Sequence, residues 1–168
     1  WRFDGVQFGF LHPDLYFPPL RNPASCVLRI DSAHGSALLP GDVDAVVERL
    51  LVRRDPQALR ADVVLAAHHG SRSSSDPQFV AATSARHVVV SAGHGNRFGH
   101  PQAAVVARWQ AAGAQVHATP AQGALRIRFD RKGLSVTGQR DRQRRPWDAE
   151  RLIQMRQGTE PGLSYRLD

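Results

Sequence analysis

The chain has 168 residues, 42% of them hydrophobic, which is enough for one folded core and leaves room for a tail. A single cysteine excludes an internal disulfide and a CxxC metal site, and the lack of any apolar run of about 18 residues excludes a membrane-spanning helix within the sequence. Lysine and arginine exceed the acidic residues by 22 to 15, a net charge of +7. All of these cations except Lys132 are arginines, which suit phosphate binding and are equally what a GC-rich genome favours.

The first third of the chain predicts strands followed by a helix. Alternating apolar residues and turn residues predict strands at residues 1–10, 25–31 and 36–39. Prolines at 18, 19 and 23 predict an irregular loop between the first two strands. Apolar residues that recur every three or four positions from Val43 to Leu51 predict an amphipathic helix over residues 43–52.

The rest of the folded part alternates strands with helices. Apolar runs predict strands at residues 62–67, 87–91 and 114–118. Proline and capping signals predict helices between them, at residues 77–83 and 101–113. A hairpin at residues 124–129 and 134–137 closes the pattern. Strands followed by a βαβαβ unit and a hairpin predict an α/β layered fold with a mixed sheet.

After Gly138 the composition becomes basic, so we expect one domain over residues 1–138 and a basic tail over residues 139–168. A short helix is predicted within the tail at residues 147–157. The tail arginines that could contact DNA are Arg140, Arg142, Arg144 and Arg145. Such a tail is typical of nucleic-acid or anionic-membrane binding, and a merely solvated charged tail is the alternative.

Polar side chains follow three of the predicted strands. They are Asp42 after the second strand of the first hairpin, the pair His68 and His69 after the strand at 62–67, and His100 in a glycine-rich loop after the strand at 87–91. Loops at the carboxyl ends of strands commonly carry functional groups. Because imidazole and carboxylate are the usual ligands of zinc and manganese, these residues predict a metal site.

Each of these residues also has an ordinary structural interpretation. Asp42 could cap the helix over residues 43–52, and His100 could cap the helix that follows Pro101. The pair His68 and His69 could form a turn, and strand alternation leaves open which of the two faces a site. Ser71 and its neighbouring serines are either turn formers or phosphate-contacting hydroxyls.

Three blocks resemble a known family in their order and spacing. They are Leu-Leu-Pro-Gly-Asp ending at Asp42, Ala-His-His-Gly-Ser ending at Ser71, and Asn-Arg-Phe-Gly-His-Pro ending at Pro101. Over residues 6–130 the chain resembles the metallo-β-lactamase-like domain of the ComEC family. The members of this family are bacterial inner-membrane DNA-uptake channels of natural competence.

The resemblance implies a four-layer αβ/βα sandwich and a metal-dependent phosphodiesterase that degrades the DNA strand that is not imported. Asp42 would bridge two divalent ions, manganese or zinc, with Asp42 and His68 as the catalytic residues. The implied metal ligands are Asp42, His68, His69 and His100, with His68 favoured from the pair. The implied substrate- or phosphate-binding residues are Ser71, Arg72, Asn96, Arg97 and His100.

The sequence also departs from this family, because the HxHxDH metal motif of the superfamily is absent from it. The chain therefore resembles the second half of the fold, and alone we expect it to bind metal weakly and to have little or no nuclease activity. The expected partners are DNA, the missing first half of the domain, the transmembrane channel and a second copy through exposed core. We expect a soluble domain on the periplasmic side of the inner membrane.

Two alternative functions stay open at this point. One is a metal-free DNA-binding or scaffold module, and the other is a hydrolase of the same superfamily that acts on a small phosphodiester.

Overall fold

The structure, a computed structural model, describes residues 1–143. Within that range seven strands form one mixed sheet whose spatial order follows the chain. The antiparallel part contains β1 (Arg2–Phe3), β2 (Val6–His12), β3 (Val27–Ser32) and β4 (Gly35–Leu39). The strands that continue parallel to β4 are β5 (Val63–Leu65), β6 (His87–Val90) and β7 (Gln115–Ala118). The predicted α/β class with a mixed sheet is confirmed.

Helices and a separate hairpin surround this sheet. The helices are α1 (Ala45–Arg54), α2 (Pro77–Thr83), α3 (Ala103–Ala111), α4 (Thr119–Gln122) and α5 (Gln139–Arg142). The hairpin consists of β8 (Leu125–Asp130) and β9 (Gly133–Gly138), paired antiparallel. Across residues 1–143, none of the helices has the length and apolar character needed to cross a membrane.

The main core lies between the sheet and helices α1 to α3. Strand residues that alternate toward the helices are fully buried, and they pack with the apolar stripes of those helices. The largest fully buried apolar side chains of this core are Trp109, Phe79, Leu38 and Leu59, and the valines Val64, Val88, Val90 and Val105 pack with them. On the other face of the sheet, Ile127 and Phe129 of the hairpin and Leu65 and Val89 of the sheet line a common apolar cavity.

Several element boundaries differ from the predictions, among them the strand predicted at residues 62–67, which is β5 (Val63–Leu65) and ends before the histidine pair. Asp4 and Gly5 adopt positive φ and form a turn, so the first predicted strand is a short hairpin of β1 and β2. Helix α1 begins at Ala45 because Asp44 caps it, and α3 begins at Ala103 rather than at Pro101. The predicted helix at residues 147–157 lies outside the described residues, as do Arg144 and Arg145.

Candidate functional site

Strands β4, β5 and β6 are parallel, so their carboxyl ends lie at one edge of the sheet and their loops meet there. The His68 amide donates a hydrogen bond to the Gly41 carbonyl at 2.9 Å, which joins the first loop to the second. The Gln102 amide donates to the Gly70 carbonyl at 2.9 Å, which joins the second loop to the third. The structure therefore brings the three predicted loops together, and we call Asp42, His68, His69 and His100 the histidine edge.

Asp42 does not cap helix α1. The cap is Asp44, whose carboxylate accepts hydrogen bonds from the amides of Val46 and Val47 at 3.0 and 3.1 Å. The alternative interpretation of Asp42 as an N-cap is therefore wrong, because a neighbouring aspartate already fills that position. The Asp42 side chain stays 41% exposed and points toward the second loop.

The His-His-Gly turn has an unusual backbone. His68 and His69 have φ values of 49° and 56°, in the left-handed region, and Gly70 follows with φ of 77°. Left-handed conformations cost side-chain-bearing residues on the order of 1–2 kcal/mol each, and such conformations cluster at functional sites. A Cβ on Gly70 would lie 2.9 Å from the Pro101 Cβ, so glycine is required where the turn packs on the third loop.

His69 is fixed by the carbonyl of Ser91. Its Nδ1 lies 2.7 Å from that oxygen, and because a carbonyl only accepts, Nδ1 must carry the proton. The other ring nitrogen, Nε2, faces the Asp42 Oδ1 at 3.7 Å. With the Nδ1 proton donated to the Ser91 carbonyl, Nε2 can direct a lone pair toward the Asp42 carboxylate, so a cation bound between the two atoms would be attracted by both.

His68 has a different environment. Its Nε2 lies 3.3 Å from the Asn22 amide nitrogen, and its Nδ1 lies 3.5 Å from the Ser73 hydroxyl. Its ring centroid is 6.2 Å from that of His100. Asn22 and Ser73 therefore orient the His68 ring beside His100, while His69 is the residue that faces Asp42.

His100 does not cap helix α3, whose N-cap residue is Gln102, so that alternative interpretation is wrong. Within residues 1–143 its buried Nδ1 has no hydrogen-bond partner. Such an unpaired atom costs about 1–3 kcal/mol, which is unusual in a folded protein. Burial, together with the nearby imidazoles of His68 and His69, lowers the pKa of His100. Lowering that pKa favours the neutral ring, the form that a metal ligand needs.

The predicted phosphate-binding residues lie around this edge. The Ser71 hydroxyl lies 3.1 Å from that of Ser73, and Arg72 donates to the Gln102 side chain at 3.1 Å. Asn96 donates to the His100 carbonyl at 2.7 Å and accepts from the His100 amide at 2.9 Å, so it shapes the third loop. Arg97 stacks over Phe98, with its guanidinium carbon 4.8 Å from the ring centroid. Their roles toward a phosphate stay predictions.

The two tail arginines in the described range, Arg140 and Arg142, lie in helix α5. The Arg140 guanidinium donates to the carbonyls of Pro120 and Ala121 at 2.7 and 3.2 Å. Arg142 is exposed and lines a polar groove with residues of the β8–β9 hairpin. Their predicted contact with DNA stays a prediction.

The sequence reasoning missed Glu48. Its side chain is fully buried, and its two carboxylate oxygens accept hydrogen bonds from the amides of Ser75 and Asp76 at 2.8 and 2.6 Å. Burial raises the pKa of this carboxyl to about 7. Trp109 adds a hydrogen bond to the Ser75 hydroxyl at 3.1 Å. The available signal was an acidic residue between Val47 and Leu51, both buried on the inner face of α1.

The residues present fit a metal ion only in part. Ligand atoms about 2.1 Å from one zinc ion can be at most about 4.2 Å apart, so the 3.7 Å between His69 and Asp42 is compatible with a shared ion. Yet residues 1–143 contain no group of three or more histidine, cysteine or acidic side chains placed to hold a metal. The described part of the chain thus supplies a fragment of a ligand set.

Comparison with known proteins gives the following relatives. The chain is 36% identical over 136 residues to competence protein ComA of Neisseria gonorrhoeae, a match that covers 81% of this chain and 20% of that protein. It is 30% identical over 124 residues to ComE operon protein 3 of Bacillus subtilis, a match that covers 74% of this chain and 16% of that protein. It is 28% identical over 136 residues to recombination protein 2 of Haemophilus influenzae, a match that covers 81% of this chain and 17% of that protein.

The chain spans a fifth or less of the length of these curated relatives. No protein-family model matches it.

Proposed function

Because the chain belongs, as a segment, to the ComEC-like competence proteins, we propose that it takes part in DNA uptake during natural competence. The name of the gonococcal relative mentions competence, and the match covers most of this chain. Within that role we propose a metallo-β-lactamase-like domain of which this chain is the second half. A mixed sheet with helices on one face and a hairpin on the other supports this architecture.

The proposed activity is metal-dependent hydrolysis of a DNA phosphodiester, with water as the nucleophile. The observation that carries it is the pair of facing ligand atoms, His69 Nε2 and Asp42 Oδ1, held 3.7 Å apart by a strained turn. Manganese or zinc at this edge would polarise the phosphodiester and lower the pKa of a water molecule. Asp42 and His69 would hold the ion, and further ligands would come from outside residues 1–143.

The other residues of the histidine edge have supporting roles in this proposal. The Ser91 carbonyl fixes the tautomer of His69, the kind of outer contact that orients metal-bound histidines. We favour His69 over His68 as the ligand because only His69 faces Asp42. His68 and His100, with ring centroids 6.2 Å apart, would then contact the phosphate of the substrate.

A second candidate, a metal-free DNA-binding or scaffold module, is favoured by the incomplete ligand set of the described residues. The two candidates differ in what happens when Asp42 is changed. A scaffold loses nothing, whereas a hydrolase loses its activity.

A nuclease assay on the protein as the cell makes it tests the proposal, with linear duplex DNA and added manganese or zinc. Asp42→Asn should lower cleavage by about 100-fold or more, since even outer partners of metal ligands contribute about 10–100-fold. The matched control is Asp44→Asn, which removes the same charge two residues away and keeps a good helix cap. Equal cleavage by both variants would contradict the proposed role of Asp42, and no cleavage by the unmodified protein would favour the scaffold.

The proposal also includes contact with the rest of the longer protein. Trp1, Phe3 and Phe10 are 64%, 74% and 57% exposed beside the β1 edge of the sheet. Apolar side chains at an open sheet edge commonly mark a docking surface. The missing half of the domain, the membrane channel or a second copy would cover them.

A further inference from the structure

The β8–β9 hairpin has two different faces. Leu125, Ile127 and Phe129 alternate on the side that faces the sheet, where Ile127 and Phe129 line the apolar cavity. Positions 126, 128, 135 and 137 on the outer side carry exposed polar side chains. Arg126 pairs with Thr137 and Arg128 pairs with Ser135 across the two strands. We call the exposed cations of this outer side, Arg126, Arg128 and Arg142, the basic strip.

The strip has a regular geometry. Arg126 and Arg128 are two residues apart on one strand, which places their Cα atoms about 6.8 Å apart. Each faces a hydroxyl residue on β9 whose Cβ lies about 5 Å from its own. Arg142 of helix α5 lines the same groove. Three guanidinium groups and two hydroxyls therefore share one open surface.

Among residues 1–143, these charges have no counterions. Elsewhere in the described residues, Arg29, Arg49, Arg54 and Arg86 each bind a carboxylate. By contrast, no described residue forms an ion pair or side-chain hydrogen bond with Arg126, Arg128 or Arg142.

The nearby acids are engaged with other groups. Asp130 accepts from the Lys132 amide at 2.8 Å, and Asp141 accepts from the Gln122 side chain at 3.0 Å. Residues 124–143 carry six cationic and two acidic side chains, so four of the net seven positive charges of the chain lie in this short segment.

We propose that the basic strip binds the phosphodiester backbone of nucleic acid, with Ser135 and Thr137 as additional phosphate contacts. Guanidinium groups bind phosphate in a bidentate manner, and hydroxyl side chains are common phosphate donors. A two-stranded ribbon also fits the major groove of duplex DNA. Within residues 1–143, the lining of the groove that Arg142 shares with these residues includes no aromatic or apolar side chain, which membrane insertion or base stacking would require. Binding is therefore independent of base sequence.

This surface is separate from the histidine edge, and its test does not depend on metal. Fluorescence anisotropy would follow the 168-residue chain binding to a labelled duplex of about 20 base pairs in EDTA over a range of salt concentrations. Each lost phosphate contact makes the slope of log K against log salt less negative by about 0.9, so Arg126→Gln/Arg128→Gln should reduce the magnitude of the slope by about 2 and weaken binding.

The matched control is Arg2→Gln/Arg53→Gln, which removes the same charge from exposed arginines on β1 and α1. That variant should keep the slope of the unmodified chain. Circular dichroism would verify that both double variants are folded. Equal slopes for the two variants would overturn the proposal, because net charge alone would then account for binding.

Two further comparisons separate backbone recognition from base readout and from membrane binding. Duplexes of unrelated sequence should bind equally, and a strong preference for one sequence would contradict backbone recognition. Vesicles of phosphatidylserine and phosphatidylcholine provide the membrane comparison. Binding to these vesicles through Arg126 and Arg128, without binding to DNA, would overturn the proposal in favour of a membrane surface.

Discussion

The histidine edge and the basic strip both carry polar side chains, yet they differ in their contacts within residues 1–143. The side chains of the histidine edge are held by neighbouring groups, whereas the arginines of the basic strip have no side-chain partner in that range. At the histidine edge, the Ser91 carbonyl fixes the ring of His69, Asn22 and Ser73 orient the ring of His68, and the turn accepts strained left-handed conformations. On the hairpin, Arg126 and Arg128 have no partner among the described residues. Chemistry at a defined atom needs fixed groups, whereas attraction of a polyanion needs only unpaired charge at a regular spacing.

Glu48 shows how the first region is held. It joins helix α1 to the segment that follows the histidine turn, and it accepts the amides of Ser75 and Asp76. Ser75 itself has a φ of 60°, so this carboxyl supports another strained residue. The hairpin has no comparable buried polar contact in the described part of the molecule. The comparison therefore predicts large effects of mutations near the histidine edge and small effects on the strip.

The largest expected effect is on stability, from Glu48→Ala at about pH 5, where the buried carboxyl still contributes. Removing the carboxyl leaves the buried amides of Ser75 and Asp76 without an acceptor, each at a cost of about 1–3 kcal/mol. We expect the free energy of unfolding, measured by urea denaturation, to fall by about 3 kcal/mol. A loss below about 0.5 kcal/mol, the range of ordinary surface substitutions, would show that this contact does not hold the segment.

The second prediction concerns pH and Glu48→Gln, an analogue of the protonated carboxyl. A folded-state pKa of about 7, raised by burial from 4.5, means that Glu48 contributes full stability below pH 4.5 and loses it as the pH rises to about 7. The Glu48→Gln variant should therefore gain stability relative to the unmodified chain as the pH rises from about 5 to about 8. A pKa shift of this size corresponds to a change of about 3 kcal/mol at most in the free energy of unfolding. Urea denaturation would measure the stability difference between the variant and the unmodified chain at each pH. If that difference did not change with pH, or changed in the opposite direction, the amides of Ser75 and Asp76 would stabilise the charged carboxylate more than burial destabilises it.

The third prediction concerns Trp109→Phe, which removes the hydrogen bond from the indole to Ser75. A neutral hydrogen bond of this kind contributes about 1 kcal/mol, and the smaller ring at this fully buried position adds a loss of core packing, so the melting temperature should fall by several degrees. Trp1→Phe is the matched control, because Trp1 is 64% exposed and lies outside the core. Equal melting temperatures for the two variants would indicate that neither the bond to Ser75 nor the buried volume of the Trp109 ring stabilises the fold.

The smallest expected effect is that of Arg126→Gln/Arg128→Gln on folding. These side chains are exposed and have no described partner, so the free energy of unfolding should change by less than about 0.5 kcal/mol. Urea denaturation would measure it. A loss of several kcal/mol would show that the strip has a structural role, and the contrast between the two regions would then fail.

The sequence predicted the sheet and the meeting of the three loops because those features follow from simple patterns. Apolar runs such as residues 62–67 mark buried strands, and parallel strands place the loops after their carboxyl ends together. Two aspartates two residues apart were harder to interpret. Asp42 and Asp44 are both plausible caps in the sequence, and the structure selects Asp44, which leaves Asp42 available for the site.

Other features depend on tertiary contacts that no local pattern shows. The left-handed conformations of His68 and His69 arise where the turn packs against Pro101 and bonds to Gly41. Strand alternation could not decide between the two histidines because residues 67–70 are not part of a strand. The role of Glu48 could not be predicted from local patterns either, because its hydrogen-bond partners lie 27 and 28 residues away in the chain.

The central claim is that Asp42 and His69 form part of a metal site. Manganese is paramagnetic, so substoichiometric additions to the ¹⁵N-labelled chain would broaden the amide signals nearest to the ion, even where binding is weak. We predict that the signals of Asp42 and His69 broaden first, that Asp42→Asn and His69→Ala abolish this pattern, and that Asp44→Asn and His34→Ala preserve it. Broadening elsewhere in the chain, or the same broadening in Asp42→Asn, would contradict the claim.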